Sequence, residues 1–270
     1  MSIFKSKRLE ERGEGIKQLA DCLNDKSRVF IIHYSCESFF NTHGRSPRVT
    51  SISIRNIQSG QTLSFSIHLH AQIKKKDFNH LGDLEYDELE FEMLNEFYAF
   101  AEKRKDFKWI HWNMRDSNFG FEAISNRFKI LGGIPLEIEV EKRFDLPRIL
   151  GKIYSYNYED HGANGRLLSL SNRNNISSKD ALNGANEALA FEERNYLALH
   201  KSTLKKIDII ETVIEKAYNN TLKVKADKMD IYGLSISGMR ELIVNNWLLS
   251  SVFSFIIFIV GCLVQKYFFS

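Results

Sequence analysis

The run Arg28 to Tyr34, Arg-Val-Phe-Ile-Ile-His-Tyr, constrains the fold more than any other stretch. It is apolar at consecutive positions, rich in β-formers, and set off by Lys26 and Ser27. Such a run reads as a central strand buried on both faces. A chain of 270 residues has room for the covering layers in one good-sized domain plus an extension.

The flanking stretches supply partners for that strand. Val49 to Ile57 alternates, with Ile52 and Ile54 on one face and Ser51 and Ser53 on the other. Ser59-Gly60 is a turn signal, and Thr62 to Leu69 alternates again, with Leu63, Phe65, Ile67 and Leu69 against Ser64, Ser66, His68 and His70. Two alternating runs around a Gly-containing turn make a hairpin, and with the first strand they give an antiparallel meander. Leu9 to Leu23 and Leu84 to Lys103 carry helical spacing, the second through Leu89, Met93, Phe97 and Phe100. Trp109 to Trp112 is then a short buried strand, and a helix between two strands of one sheet makes them parallel through a right-handed crossover. Phe119 to Leu131 reads as a helix stopped by Gly132-Gly133, followed by a short strand at Glu137 to Val140. Phe144-Asp145-Leu146 is another strand end, with Pro147 opening the next helix. Tyr156 to Gly165 is a loop. Asn186 to Tyr218 is helical with at most one break, and Asn219 to Ser237 is a linker.

Composition narrows the function classes. Lys and Arg number 37 against 34 Asp and Glu, so a net charge of +3 does not argue for a strongly nucleic-acid-binding surface. Three widely spaced cysteines form neither a disulfide framework nor a zinc pattern and fit a reducing compartment. No apolar signal-peptide core follows the amino terminus. Leu242 to Gln265 has no charged side chain and Leu248 to Val264 is nearly all apolar, with Trp247, Lys266 and Tyr267 at the edges. That pattern predicts a transmembrane helix over 242–268, acting as a single-pass carboxy-terminal anchor. Lys223, Lys225, Lys228 and Arg240 precede it and only Lys266 follows. The main domain is thereby expected on the cytoplasmic side of a cell inner membrane.

The chemistry-bearing stretch is Lys108 to Phe121, Lys-Trp-Ile-His-Trp-Asn-Met-Arg-Asp-Ser-Asn-Phe-Gly-Phe. It delivers Asp116 in a polar turn at the carboxyl end of a strand, where α/β proteins place chemistry. Asp116 equally suits the cap of the next helix. Other carboxylates occupy matching places. Ser35-Cys36-Glu37 closes the first strand, His111, Asn113, Asp116 and Phe119 follow the fourth, Phe144-Asp145-Leu146 ends a later one, and Asp208 lies on a late helix.

In this order the motifs resemble the DEDD superfamily of 3′–5′ exonucleases over roughly Arg28 to Lys216. The resemblance implies an α/β fold with an RNase H-like mixed sheet, a three-strand meander then parallel strands, flanked by helices. The chain divides into a helix at 1–27, the exonuclease-type domain at 28–218, a linker at 219–241 and the transmembrane helix. The resemblance also implies Glu37, Asp116 and Asp208 as ligands of Mg²⁺ or Mn²⁺, hard cations that take oxygen donors. His111 or His200 is then a candidate general base. Ser35 departs from the pattern, since it stands where the family's first Asp bridges both metals. A hydroxyl there removes one charge and one strong ligand.

The remaining residues have plainer readings beside the functional ones. Asp208 equally reads as a solvated carboxylate on a Lys-rich helix, and His33 as a satisfied core histidine. His68 and His70 share one face of a strand without a third ligand. Trp109 and Trp112 read as core, and Lys74-Lys75-Lys76 as a solvated turn. Arg194, Lys201 and Lys205 flank the supposed site helix and would steer nucleic acid toward it. Two functions follow. One is a membrane-anchored exonuclease-like protein acting on single-stranded nucleic acid. The other is a catalytically inactive nuclease-fold sensor or docking domain coupled to a membrane segment and a partner protein encoded nearby, as in bacterial antiphage defence. A structural membrane-tethered protein is the plainest alternative.

Overall fold

The computed structural model describes residues 6–37, 46–77, 80–115, 118–244 and 247–268, the side chains of 247, 249, 266 and 268 excepted. In chain order, α1 (Lys7–Leu23) leads to β1 (Val29–Cys36), β2 (Val49–Asn56), β3 (Thr62–Ser66), α2 (Ile67–Ile73) and α3 (Asp83–Glu102). Next come β4 (Lys108–His111), α4 (Phe121–Ile130), β5 (Arg143–Asp145) and α5 (Leu146–Tyr154). The chain continues through α6 (Arg166–Arg173), α7 (Gly184–Glu192), α8 (Tyr196–Tyr218), α9 (Lys228–Tyr232), α10 (Ile236–Val244) and α11 (Trp247–Phe268).

The strands form one mixed sheet in the order β3-β2-β1-β4-β5. β1 pairs antiparallel with β2 and parallel with β4, and β5 runs parallel to β4. The hairpin between β2 and β3 turns where Gly60 takes φ 67°, and the Asn56 side chain accepts the Gln58 and Ser59 amides. That is the local chemistry by which Asn and Gly make turns.

β1 lies in the middle of the sheet, and its side chains alternate between two cores. Phe30, Ile32 and Tyr34 join Phe65, Leu89, Met93, Phe97 and Trp109 under α3 and α4. Val29 and Ile31 join Ile110, Leu150, Ile207 and Ile210 under α1, α5 and α8. The result is three layers, helices on sheet on helices.

α1 is fixed to α5 at close range. A Cβ added at Gly15 would stand 2.7 Å from the Lys152 Cβ. Arg8 donates to the carbonyls of Lys152 (2.7 Å) and Ile153 (3.1 Å), and Arg12 donates to Ile153 (2.7 Å). Carbonyls at a helix end have no intrahelical partner, so the two arginines cap α5 and hold its axis. Arg8 also reaches the Asp230 carbonyl at 3.0 Å, and Arg12 lies over the Tyr232 ring, tying α9 to the same face.

Three sequence expectations need correction. The alternating run through Leu69 is strand only to Ser66, and 67–73 is helix α2, so His68 and His70 lie on a helix. Ile67 and Ala71, one turn apart, are both buried; a four-residue alternation fits either period. Glu137 to Val140 forms no strand. Ile138 alone enters the core, a 3₁₀ turn spans Val140–Lys142, and Arg143 donates to the Ile138 carbonyl.

The third correction is the membrane anchor. Among the described residues no helix is long and apolar enough to cross a membrane. The stretch 242–268 is divided between α10 and α11. The single-pass anchor, the inner-membrane location and the cytoplasmic placement that depended on it are not supported.

Candidate functional site

The turn after β4 is built from β4 and its neighbours. Asn113 takes a left-handed φ of 58°, which Asn tolerates better than most residues. Its amide donates to Asp145 Oδ1 at 3.1 Å, and Arg115 donates to Asp145 Oδ2 at 2.6 Å. The Met114 amide donates to His111 Nδ1 at 3.1 Å, and the Gly120 amide to the Tyr34 hydroxyl at 3.1 Å. A Cβ at Gly120 would lie 2.6 Å from the Met114 carbonyl carbon. Asp145 therefore serves as an anchor for this turn, with its side chain only 10% exposed.

The residues of the expected metal centre are dispersed. Ser35 Oγ and Ser51 Oγ both meet Thr203 Oγ1, at 2.6 Å and 2.9 Å, and Thr203 donates to the Leu199 carbonyl. A hydroxyl has one proton and two lone pairs, so Thr203 is saturated. All three side chains are buried between β1, β2 and α8. The place where the resemblance puts a bridging Asp is thus a closed, neutral hydroxyl cluster. Glu37 is buried at the carboxyl end of β1 and accepts the Arg48 amide at 3.3 Å.

Asp208 sits elsewhere. It pairs with Arg55 at 2.7 Å, and Arg55 also holds Glu211 at 2.7 Å. Arg55 lies opposite Ile31, whereas Ser51 lies opposite Ser35, so four residues of β1 separate the two levels. At strand rise that is about 13 Å. Glu37 and Asp208 belong to opposite ends of the central strand. Asp116 lies outside the described residues. Among the described residues no group of three or more His, Cys, Asp or Glu is placed to hold a metal ion. The donors among the described residues do not make up a two-metal centre.

The candidate bases and cations are engaged as well. His111 is buried, and burial lowers its pKa to about 4, against a smaller opposing pull from Asp145. Its Nδ1 lone pair takes the Met114 amide, which leaves the ring proton on Nε2. His200 is lowered to about 4 by burial and then by His68, and its Nδ1 lies 3.1 Å from Ser64 Oγ. Arg194 donates to the Leu81 carbonyl and Lys205 pairs with Asp208, while Lys201 is exposed.

Sequence reasoning missed the feature that the carboxyl rim does present. A crevice of about 780 Å³ opens between the ends of β1 and β4 and the amino ends of α5, α6 and α7. Crevices at the carboxyl ends of strands are where open α/β sheets bind ligands. Arg115, Arg148, Arg166 and Lys206 line it, with Glu187 as the acidic side chain among the described lining residues. Glu187 is held by Lys206 (2.5 Å) and Ser202 (2.8 Å). Trp112, Phe119, Tyr156 and His161 add rings, and none of Arg194, Lys201 and Lys205 is among the lining residues. His33 forms part of the wall, 5% exposed, with both ring nitrogens unpartnered. Burial and then Lys206 keep its pKa well below the usual value, so the ring is neutral. A polar residue inside the apolar run of β1 was the visible signal.

The fold and rim together define an α/β protein with a mixed five-stranded sheet and a cationic, aromatic crevice at the strand ends. No family model matches the chain, and neither curated proteins nor solved structures yield a match.

Proposed function

We propose that this chain recognises nucleic acid through the rim crevice and does so without metal-dependent cleavage. The observation that carries the proposal is the crevice itself, which sets Arg115, Arg148, Arg166 and Lys206 and the rings of His33, Trp112, Phe119, Tyr156 and His161 around one opening at the ends of β1 and β4. Cations that track phosphates and rings that stack on bases are the two components of sequence-tolerant single-strand binding. The sheet order, with three antiparallel strands followed by two parallel ones, supports keeping the RNase H-like architecture as the frame. The saturated Ser35–Thr203–Ser51 cluster and the separation of Glu37 from Asp208 favour recognition over hydrolysis.

Anisotropy of labelled single-stranded DNA and RNA, titrated with the full chain, tests this. Binding should occur at low salt, weaken as salt rises, and be indifferent to EDTA. Mg²⁺ or Mn²⁺ should produce no shortening of the strand. Absence of binding at low salt, or metal-dependent degradation, rejects the proposal.

A further inference from the structure

We infer that the crevice seats one nucleoside monophosphate moiety, with its phosphate at Arg166 and its nucleoside toward His33. The inference deepens the reading above and rests on it for the polymer, while the chemistry of the moiety stands on the crevice alone.

Two residues that line the crevice carry buried polar atoms with no hydrogen-bond partner. His33 has no partner on either ring nitrogen, and Arg166 Nε is buried with none. Among the described residues Arg166 has no carboxylate partner either, and its guanidinium lies over the Tyr158 ring at 5.3 Å. Buried polar groups are almost always satisfied, so these two side chains retain unused hydrogen-bonding capacity at the crevice wall. Their chemistries differ in a useful way. Arg166 offers only donors in a planar fork, which suits a phosphate. Neutral His33 offers one donor and one acceptor, which suits a hydroxyl or a base edge.

The backbone reinforces the anionic end. Pro147 and Arg148 of α5, Arg166 and Leu167 of α6, and Gly184 of α7 all line the crevice, so three helix amino ends converge there. No side chain caps α5 or α6. Amino ends of helices present amide donors and positive potential to an anion. The neighbouring acids are already matched, Glu187 by Lys206 and Asp145 by Arg115. Tyr156 and His161 are exposed at the mouth, where a base would stack. A volume of about 780 Å³ falls among pockets that hold ligands of nucleotide size.

A free nucleotide and a strand terminus share this chemistry, and calorimetric titration of the full chain separates them. The probes are AMP, UMP, adenosine, uridine, and a short single strand with and without a terminal phosphate. Nucleotides should bind at least about tenfold more tightly than nucleosides, the difference expected from an arginine–phosphate contact. Arg166→Gln should abolish most of that difference with an unchanged melting midpoint, and His33→Gln should weaken nucleotide and nucleoside alike. Should Arg166→Gln fail to fold, the exposed Arg148→Gln must lower AMP affinity instead. Equal affinity for nucleotide and nucleoside overturns the inference. So does oligonucleotide binding that AMP does not compete and Arg166→Gln does not alter, which leaves the nucleic-acid reading standing. Nucleotide binding without oligonucleotide binding upholds the crevice and rejects the polymer. A preference for the phosphorylated strand upholds both.

Discussion

The two faces of β1 end differently. On one, Phe30, Ile32 and Tyr34 stay apolar or aromatic to the rim, and the layer above is locked by a buried ion pair. On the other, Val29 and Ile31 are apolar but His33 and Ser35 are polar, and the rim opens into the crevice. One face is devoted to holding the sheet to its helices. The other gives up apolar contact over its last residues and leaves His33 unsatisfied. The proposed function puts recognition on the side of the strand opposite the one that carries stability, and variants on the two sides should separate accordingly.

The largest effect belongs to the structural face. Glu90 of α3 is fully buried, accepts the Val49 amide at 2.7 Å, and meets Arg127 of α4 through contacts of 2.7–3.0 Å. Burial pushes its carboxyl up to about 7, with Arg127 pulling the other way. Arg127→Met would leave that carboxyl uncompensated, so urea unfolding should show a loss of about 3–5 kcal/mol. The double variant with Glu90→Leu should recover much of it. Nucleotide affinity, measured where the variant is still folded, should be unchanged. A weak stability effect, or an effect on binding instead, would break the division between faces.

Acid should act next. His111 has a folded pKa of about 4, below the usual 6.5 of an unfolded histidine, because burial disfavours its charged form. The unfolded chain therefore takes up the proton first. Stability is full above about pH 6.5 and falls as pH drops toward 4. A shift of that size corresponds to about 3 kcal/mol. Chemical unfolding at a series of pH values should show this limb, and His111→Gln should flatten it. His33 is displaced in the same direction from the other face and should contribute to the same limb. Bound nucleotide should shrink its share alone, which sharpens the contrast between the two histidines.

The sequence made β1 legible because a strand buried on both faces leaves no periodicity except apolarity, and Val29–Cys36 shows it. The helix of α3 was legible from Leu89, Met93 and Phe97, all buried. The end of β3 was not, since Ile67 to Leu69 is too short to tell a pleat from a turn of helix. The serines of β2 were assigned one polar face. That face is covered by α8, where Ser51 meets Thr203, and no local pattern reveals a hydroxyl pair that distant along the chain. The crevice was hidden for the same reason. Arg148, Arg166 and Lys206 are unremarkable cations in sequence and become a set only when three helix amino ends meet at the rim. Asp208 shows the converse, a carboxylate in suggestive order whose partner, Arg55, is set by strand register.

The smallest effect is expected at Asp208, and it decides between the two ends of β1. Its side chain is 42% exposed and its partner Arg55 retains Glu211 at 2.7 Å. Half-exposed ion pairs contribute under about 1 kcal/mol. Asp208→Asn should therefore move the unfolding midpoint little and leave oligonucleotide and AMP affinity untouched, because Arg55 pairs at Ile31, four positions or about 13 Å along β1 from Ser35. If instead Asp208→Asn abolished nucleic-acid binding or a metal-dependent activity, the working end of the sheet would be the one at Ile31. The crevice at His33 would then be a defect of packing and not a site.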